Sequence, residues 1–321
     1  MTYRCNLRCI FCNFWKKKKV KELNTEEAKT IIDNLEGSGI TIFNFCGGEP
    51  LLRKDLEEIA TYAKVKGMIT GVNTNGTLLT PQRAETIAEA FDFVYVSIDG
   101  FEKTHDTIRG LEGTFERAIT GLKNLIEVRG DCTVGVNFVL TNKNYEEFLP
   151  ICSWLKDLGV DVLFVSTVGE SIDGGNFASI YSIPKDKVDG FIKKVLNEKM
   201  KDPKFLISSE KFIKLIPKFV KGEMPHICDA GRLYLGIDNV GNLFICPGVS
   251  PSSKWRIGSL LNSSAEELLR SRCFEGVLKS TKDCKPCLLG CTVSHSLLFR
   301  SSFVGLLKEG FRYWKASRCM K

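Results

Sequence analysis

From residue 24 to about residue 167 the chain alternates helical and extended signals, and this alternation limits the fold more than any other feature. Asn24 with Glu27 three residues on reads as a helix start. Ala28, Ile31, Ile32 and Leu35 share one face, and Gly37 and Gly39 end the helix. Residues 41–45 form a short apolar strand. Leu56, Ile59, Ala60 and Ala63 mark the next helix, closed near Gly67, before a strand at 69–72. Thr80-Pro81 opens a helix through Ala84, Ile87, Ala88 and Phe91. Residues 93–98 are apolar on both faces, as a parallel strand covered by helices must be. A helix over 114–128, a strand over 133–140, a helix over 145–158 and a strand over 160–166 complete the series. Such alternation predicts an α/β fold with parallel strands and right-handed crossovers, as a doubly wound sheet or a barrel.

The chain has 321 residues, 43% hydrophobic and 26% charged, the profile of a soluble globular protein of about two domains. Its net charge of +7 sits partly in clusters such as residues 16–19, without aromatic interleaving or a nucleic-acid motif. It reads as a solvated face rather than a nucleic-acid surface, and it suits an anionic substrate as well. Arg4 and Arg8 interrupt any signal-peptide core, and no run of about 18 apolar residues occurs. Thirteen cysteines in a chain of this kind point to reduced cytoplasmic thiols gathered for metal, not to a disulfide framework.

Three of those cysteines, Cys5, Cys9 and Cys12, fall in one short run. Three thiolates on one loop can take three corners of a [4Fe–4S] cube and leave the fourth iron open. A catalytic zinc site keeps an open position by the same logic. The alternative is a zinc loop or three ordinary thiols, although zinc sites usually pair CxxC units and need four ligands. Cys46-Gly47-Gly48-Glu49-Pro50 directly follows the first apolar strand, at the C-terminal rim where α/β barrels place their sites. Glycines there admit a close backbone approach, and Glu49 offers acceptors to an ammonium group.

The Cx3Cx2C run, with Phe11 just before the last cysteine and Gly47-Gly48-Glu49 one strand later, resembles the signature of radical S-adenosylmethionine (AdoMet) enzymes. The resemblance covers roughly residues 1–167. It implies a partial (β/α)6 TIM-like barrel, a catalytic [4Fe–4S] cluster on Cys5, Cys9 and Cys12, and AdoMet chelated at the open iron. Reductive cleavage of AdoMet would then give a 5′-deoxyadenosyl radical. It also implies Gly47, Gly48 and Glu49 at the methionine amino group, and Ser97 at the ribose with Asp99 nearby. Asn73 at its strand end, and Asn137 and Val165 near adenine, complete the pocket. Arg109 suits the methionine carboxylate, which guanidinium binds bidentately. For the polar residues the competing reading is turn capping, and for Val165 core packing. His105 reads as a hydrogen-bonded loop residue. Only Met1–Arg4 precede Cys5, so the first strand is expected to be short or missing. The same shortness leaves no space for a leader-recognition domain before Cys5, which tilts the expected substrate toward a small molecule or a protein with its own partner.

A second group comprises Cys228, Cys246, the pair Cys284 and Cys287, and Cys291. Residues 233–237 and 243–246 flank an Asp-Asn-Val-Gly-Asn turn and read as a hairpin, and Ser264 with Glu267 caps a helix. The pattern resembles the auxiliary-cluster extension of the SPASM/twitch group. The CxxCx3C run falls short of the full SPASM set, so one auxiliary [4Fe–4S] cluster on Cys228, Cys246, Cys284 and Cys287 is expected, with Cys291 replacing one ligand or staying free. A structural zinc knuckle is the alternative. Cys46, Cys132, Cys152, Cys273 and Cys319 are expected to be small core hydrophobes.

The expected division is a core over 1–168, a helical connector over 169–225, a small α+β auxiliary-cluster domain over 226–292 and an amphipathic basic tail over 293–321. Packing of the tail on protein is favoured over contact with a membrane surface. The function expected is a radical AdoMet oxidoreductase or maturase, supplied by an electron donor such as flavodoxin or ferredoxin, with the auxiliary cluster in electron transfer. The rival is a non-catalytic iron–sulfur or zinc scaffold, against which the intact Glu49, Ser97 and Arg109 set argues.

Overall fold

A capping box starts the first helix, α1 (Thr25–Asp33): Asn24 accepts from the Glu27 N–H and Glu27 accepts from the Asn24 N–H. The computed structural model describes residues 2–17, 21–169, 177–249 and 253–300. Strand β1 (Ile42–Phe45) follows, then α2 (Leu56–Val65), β2 (Ile69–Thr74), α3 (Pro81–Ala90) and β3 (Phe93–Ser97). After α4 (Glu102–Arg109) and α5 (Thr114–Val128) come β4 (Thr133–Leu140), α6 (Phe148–Asp157) and β5 (Val162–Thr167). The five strands form one parallel sheet in chain order, the α/β arrangement that the alternation predicts. Helix α4 departs from the sequence reading, which treated His105 as a loop residue. Its buried face is His105, Ile108 and Arg109, so it carries almost no apolar periodicity to be read.

Both sheet edges are closed by short pieces of chain. On one side Thr2 bridges Gly47 in parallel, Gly48 N–H donates to the Thr2 carbonyl at 2.7 Å, and Glu49 N–H donates to the Arg4 carbonyl at 2.7 Å. Among the described residues this bridge stands where the first strand is expected. A Cβ on Gly48 would sit 2.1 Å from the Arg4 carbonyl oxygen, so the second glycine of the motif is required by the chain's own backbone. Gly48→Ala is therefore expected to push Arg4 away and dislodge the cysteine loop. The check is a lower unfolding temperature together with reduced iron uptake on reconstitution.

On the other side residues 205–208 lie along β5. Leu163 N–H donates to the Phe205 carbonyl at 2.7 Å and Ile207 N–H donates to the Leu163 carbonyl at 2.9 Å. Ser208 Oγ then stands in for a peptide group, accepting from Val165 N–H at 2.8 Å and donating to the Val165 carbonyl at 3.0 Å. Ser208→Ala is expected to cost about 1–3 kcal/mol in urea unfolding, because two buried groups of Val165 lose their partner.

The remainder comprises α7 (Phe177–Tyr181), α8 (Val188–Lys201) and α9 (Glu210–Lys221), then an antiparallel sheet of β6 (Gly236–Ile237), β7 (Asn242–Phe244) and β8 (Arg256–Ser259). Helices α10 (Ala265–Leu269), α11 (Arg272–Ser280) and α12 (Gly290–Phe299) follow. The hairpin is present, with β8 as a third strand that its polar residues concealed. This part is stitched to α1: Leu23 N–H donates to the Asn239 carbonyl at 3.0 Å and Ala265 N–H to the Asn34 carbonyl at 2.7 Å. Helix α12 runs across the expected boundary at 292/293, buries Val293 and packs on α9 and β5. Residues 301–321, including most of the expected tail and Cys319, lie outside the described residues. Cys132 and Cys152 are core residues, whereas Cys46 and Cys273 are exposed, a correction to the reading that placed all four inside. Cys46 directly follows β1, and Cys273 lies in the first turn of α11. Among the described residues no helix is long and apolar enough to cross a membrane.

Candidate active site

The cysteine loop is held by three separate parts of the fold. Glu49 N–H fixes Arg4, and Asn6 is clamped by Asn75 Nδ2, which donates to Asn6 Oδ1 at 2.8 Å. Asn6 Nδ2 donates in turn to Thr77 Oγ1 at 2.9 Å. Further on, Arg8 N–H donates to the Arg109 carbonyl at 3.0 Å and Ile10 N–H to the Ile108 carbonyl at 2.9 Å. The loop therefore lies on the C-terminal ends of β1 and β2 and on the last turn of α4. Cys9 is buried, and Cys5 and Cys12 are half-buried. Burial pushes the Cys5 thiol up to about 11, with Cys9, Glu49 and Cys12 adding to the rise and the Leu7 N–H, 3.5 Å from its sulfur, opposing it. Burial also raises Cys12. Metal binding at this loop must therefore release protons.

Glu49 is 1% exposed and both its oxygens are engaged. Oε1 accepts from Thr74 Oγ1 at 2.7 Å and from Leu51 N–H at 3.0 Å, and Oε2 accepts from Asn75 N–H at 2.8 Å. Burial raises its carboxyl and the three donors oppose the rise. The sequence reading gave this carboxylate to an ammonium ligand. Here it fixes the Thr74–Asn75 turn, and Asn75 fixes Asn6 beside Cys5. Asn6 and Thr77, which brace the cysteine loop, were missed, since nothing in residue type or spacing marks them.

Asp99 and Arg109 form a buried ion pair, with Arg109 Nη2 2.5 Å from Asp99 Oδ2. Asp99 Oδ1 accepts from Val139 N–H at 2.8 Å, and its own N–H donates to His105 Nδ1 at 3.1 Å. Burial pushes the Asp99 carboxyl up, and the always-protonated Arg109 guanidinium opposes the rise. Burial and the same guanidinium hold His105 well below its usual range, so it is neutral. Arg109 Nη1 lies 3.8 Å from Cys9 Sγ, and its guanidinium sits 5.9 Å from the Phe11 ring centre. Arg109 Nε and Asn13 Oδ1 are buried polar atoms without a hydrogen-bond partner among the described residues, one beside Cys9 and one next to Cys12. Unmet polar atoms around three thiols fit a bound polar group.

On the inner face of the sheet Asn137 Nδ2 donates to Asn73 Oδ1 at 2.6 Å, spanning β3, and half-buried Ser97 pairs with Asn137 in register. These three assigned residues are brought together. Val165 is not among them. It is fully buried, shares register with Phe138, and Phe138 packs on Phe148 of α6. Its assignment near adenine is corrected: strand alternation turns it to the helices, leaving Phe164 and Ser166 on the inner face.

In the second group, the Tyr234 hydroxyl lies 3.4 Å from Cys228 Sγ, and Gly248 N–H donates to Cys246 Sγ at 3.3 Å. Burial raises the Cys284 thiol, and a thiolate at Cys228 raises it further. Burial and the thiolates of Cys228 and Cys246 raise the Tyr234 hydroxyl as well. Arg300 pairs with both oxygens of Asp229 at 2.8 and 2.9 Å, tying α12 to the Cys228 segment. Cys287 is half-buried, and the side chain of Cys291 lies outside the described residues. Among the described residues no three Cys, His, Asp or Glu side chains converge on one single-ion position. A cube asks for a different arrangement, with one thiolate on each iron.

Residues 1–169 match the Radical SAM superfamily. The chain belongs to that superfamily. It is 40% identical over 161 residues to the Fe-coproporphyrin III synthase of Methanosarcina barkeri, covering 49% of this chain and 40% of the relative. It is 31% identical over 260 residues to the mycofactocin maturase MftC of Mycobacterium tuberculosis, covering 77% of this chain and 63% of the relative. The chain thus spans less than two thirds of the length of these curated relatives. Among solved structures, anSMEcpe with bound AdoMet superposes with a TM-score of 0.68 at 19% identity, over 100% of this chain and 98% of that one. SuiB of Streptococcus suis bound to S-adenosylmethionine gives 0.69 at 15% identity, over 94% and 73%. These likenesses show the radical SAM fold, a partial TIM barrel.

Proposed function

We propose that this radical SAM chain is an AdoMet-cleaving oxidoreductase or maturase acting on a peptide or a small molecule. The observation that carries the reading is the fastening of Cys5, Cys9 and Cys12 to the C-terminal rim of the sheet, beside the buried Arg109 and the Asn73–Asn137 inner face. In this reading the three cysteines hold the [4Fe–4S] cluster. Phe11, the Gly47-Gly48 turn, Asn73, Ser97 and Asn137 surround AdoMet, with the unmet Arg109 Nε available to its carboxylate. Bound together, cluster and AdoMet would supply the one-electron chemistry needed to take hydrogen from unactivated carbon. The chain's own residues orient AdoMet and exclude water. Glu49 and Asp99 act at one remove, by fixing Asn75 and Arg109. An electron donor such as flavodoxin or ferredoxin would supply the reductant.

The match to the mycofactocin maturase runs 260 residues, whereas that to the Fe-coproporphyrin III synthase stops at 161. SuiB is known bound to its precursor peptide SuiA. Both support the peptide over the small molecule. The spacing of Cys228, Cys246, Cys284 and Cys287, with the Tyr234 hydroxyl 3.4 Å from Cys228 Sγ, supports an auxiliary cluster in a separate module beyond the core. Cys228→Ser is expected to lower reconstituted iron from about eight to about four per chain. The experiment that tests the proposed function is anaerobic reconstitution followed by EPR with and without AdoMet. An AdoMet-dependent change in the reduced-cluster signal is expected, and loaded iron with a signal indifferent to AdoMet would refute it.

A further inference from the structure

We propose that Arg109, fixed by Asp99, is a positioning residue that sets the charge beside Cys9 and so raises the reduction potential of the cluster bound there. The proposal rests on the functional reading above and assigns a role to the guanidinium edge that faces sulfur. The three thiols are not equivalent. Cys5 and Cys12 each receive a neutral backbone N–H, from Leu7 and Phe14, whereas Cys9 receives a guanidinium nitrogen at 3.8 Å. Arg109 is 7% exposed, so water screens that charge little.

Its geometry is determined at both ends. The main-chain carbonyl holds Arg8 N–H, and the other terminal nitrogen holds Asp99, itself anchored by Val139 and His105. Asn144 Nδ2 donates to the Asp99 carbonyl at 3.0 Å and closes the anchor. Hydrogen bonds to cluster sulfurs and nearby charge are the levers by which a protein sets a cluster's potential. A positive group at Cys9 favours the reduced state, and Asp99 tempers it while keeping it in place.

The two partners therefore act with opposite sign, which a merely structural role would not produce. The test is potentiometric EPR on the reconstituted full chain without AdoMet, following the signal that AdoMet is separately shown to perturb. Arg109→Gln is expected to shift that potential lower, Asp99→Asn to shift it higher, and Arg109→Lys to fall between Gln and the parent. Equal potentials, or shifts of the same sign, at parental iron and sulfide content would overturn the proposal. If Arg109→Gln fails to load iron, Asp99→Asn decides alone: a rise supports the proposal and no change or a fall overturns it. A parent chain that takes up no cluster would sink the functional reading, and this one with it. A loaded parent with unmoved variants sinks only this one.

Discussion

A Cys12→Ala chain, reconstituted anaerobically and given AdoMet and dithionite, is expected to form no 5′-deoxyadenosine above background. The expected loss exceeds the roughly 10–100-fold that follows removal of an outer-shell partner, because a ligand itself is gone. The comparison that gives the result meaning is Cys152→Ala. Cys152 is 3% exposed in the core between sheet and helices. Its loss is expected to lower stability by about 1 kcal/mol and leave product formation intact. Equal effects of the two substitutions would mean that the N-terminal thiols are structural. Deoxyadenosine from Cys12→Ala at the parental rate would remove the loop from the chemistry.

Glu49→Ala is expected to have the second largest effect, and to act through folding of the loop. Its carboxylate satisfies three donors in a site from which water is excluded. Bonds to a charged group contribute about 1.5–3 kcal/mol each, and buried donors left unmet add to the loss. A decrease of about 3 kcal/mol or more in urea unfolding is expected, together with reduced iron per chain. Asn6→Ala tests the same route downstream: it leaves Glu49 intact and should lower iron uptake with a smaller loss of stability. Should Glu49→Ala keep parental stability and iron but bind AdoMet weakly, the carboxylate is a ligand group and its role as organiser of the turn is wrong.

Much of the fold is legible because its strands are covered on one face by helices. Burial demands Val94, Val96, Val134 and Val136 at alternate positions, and short helices between such strands leave few topologies. The capping boxes at Asn24 and Ser264 are legible because a local hydrogen-bond pair dictates residue type at fixed spacing. Helix α4 and strand β8 are not, since their buried faces are small and partly polar. In the site, the cysteines are visible by type and spacing. What Glu49 and Arg109 do depends on partners 25 and 100 residues away, Thr74 and Cys9, which no local pattern encodes. Val165 shows the opposite error: a position at the right strand end, one residue out of phase with the face that matters.

The most direct measurement is product analysis on the full chain. Protein reconstituted with iron and sulfide is mixed with AdoMet and dithionite without oxygen, and 5′-deoxyadenosine and methionine are quantified by chromatography. Both products in equal amounts, dependent on AdoMet and on reductant, are the expected result. A fully loaded chain that binds AdoMet, is reduced by dithionite and yields neither product would contradict the account.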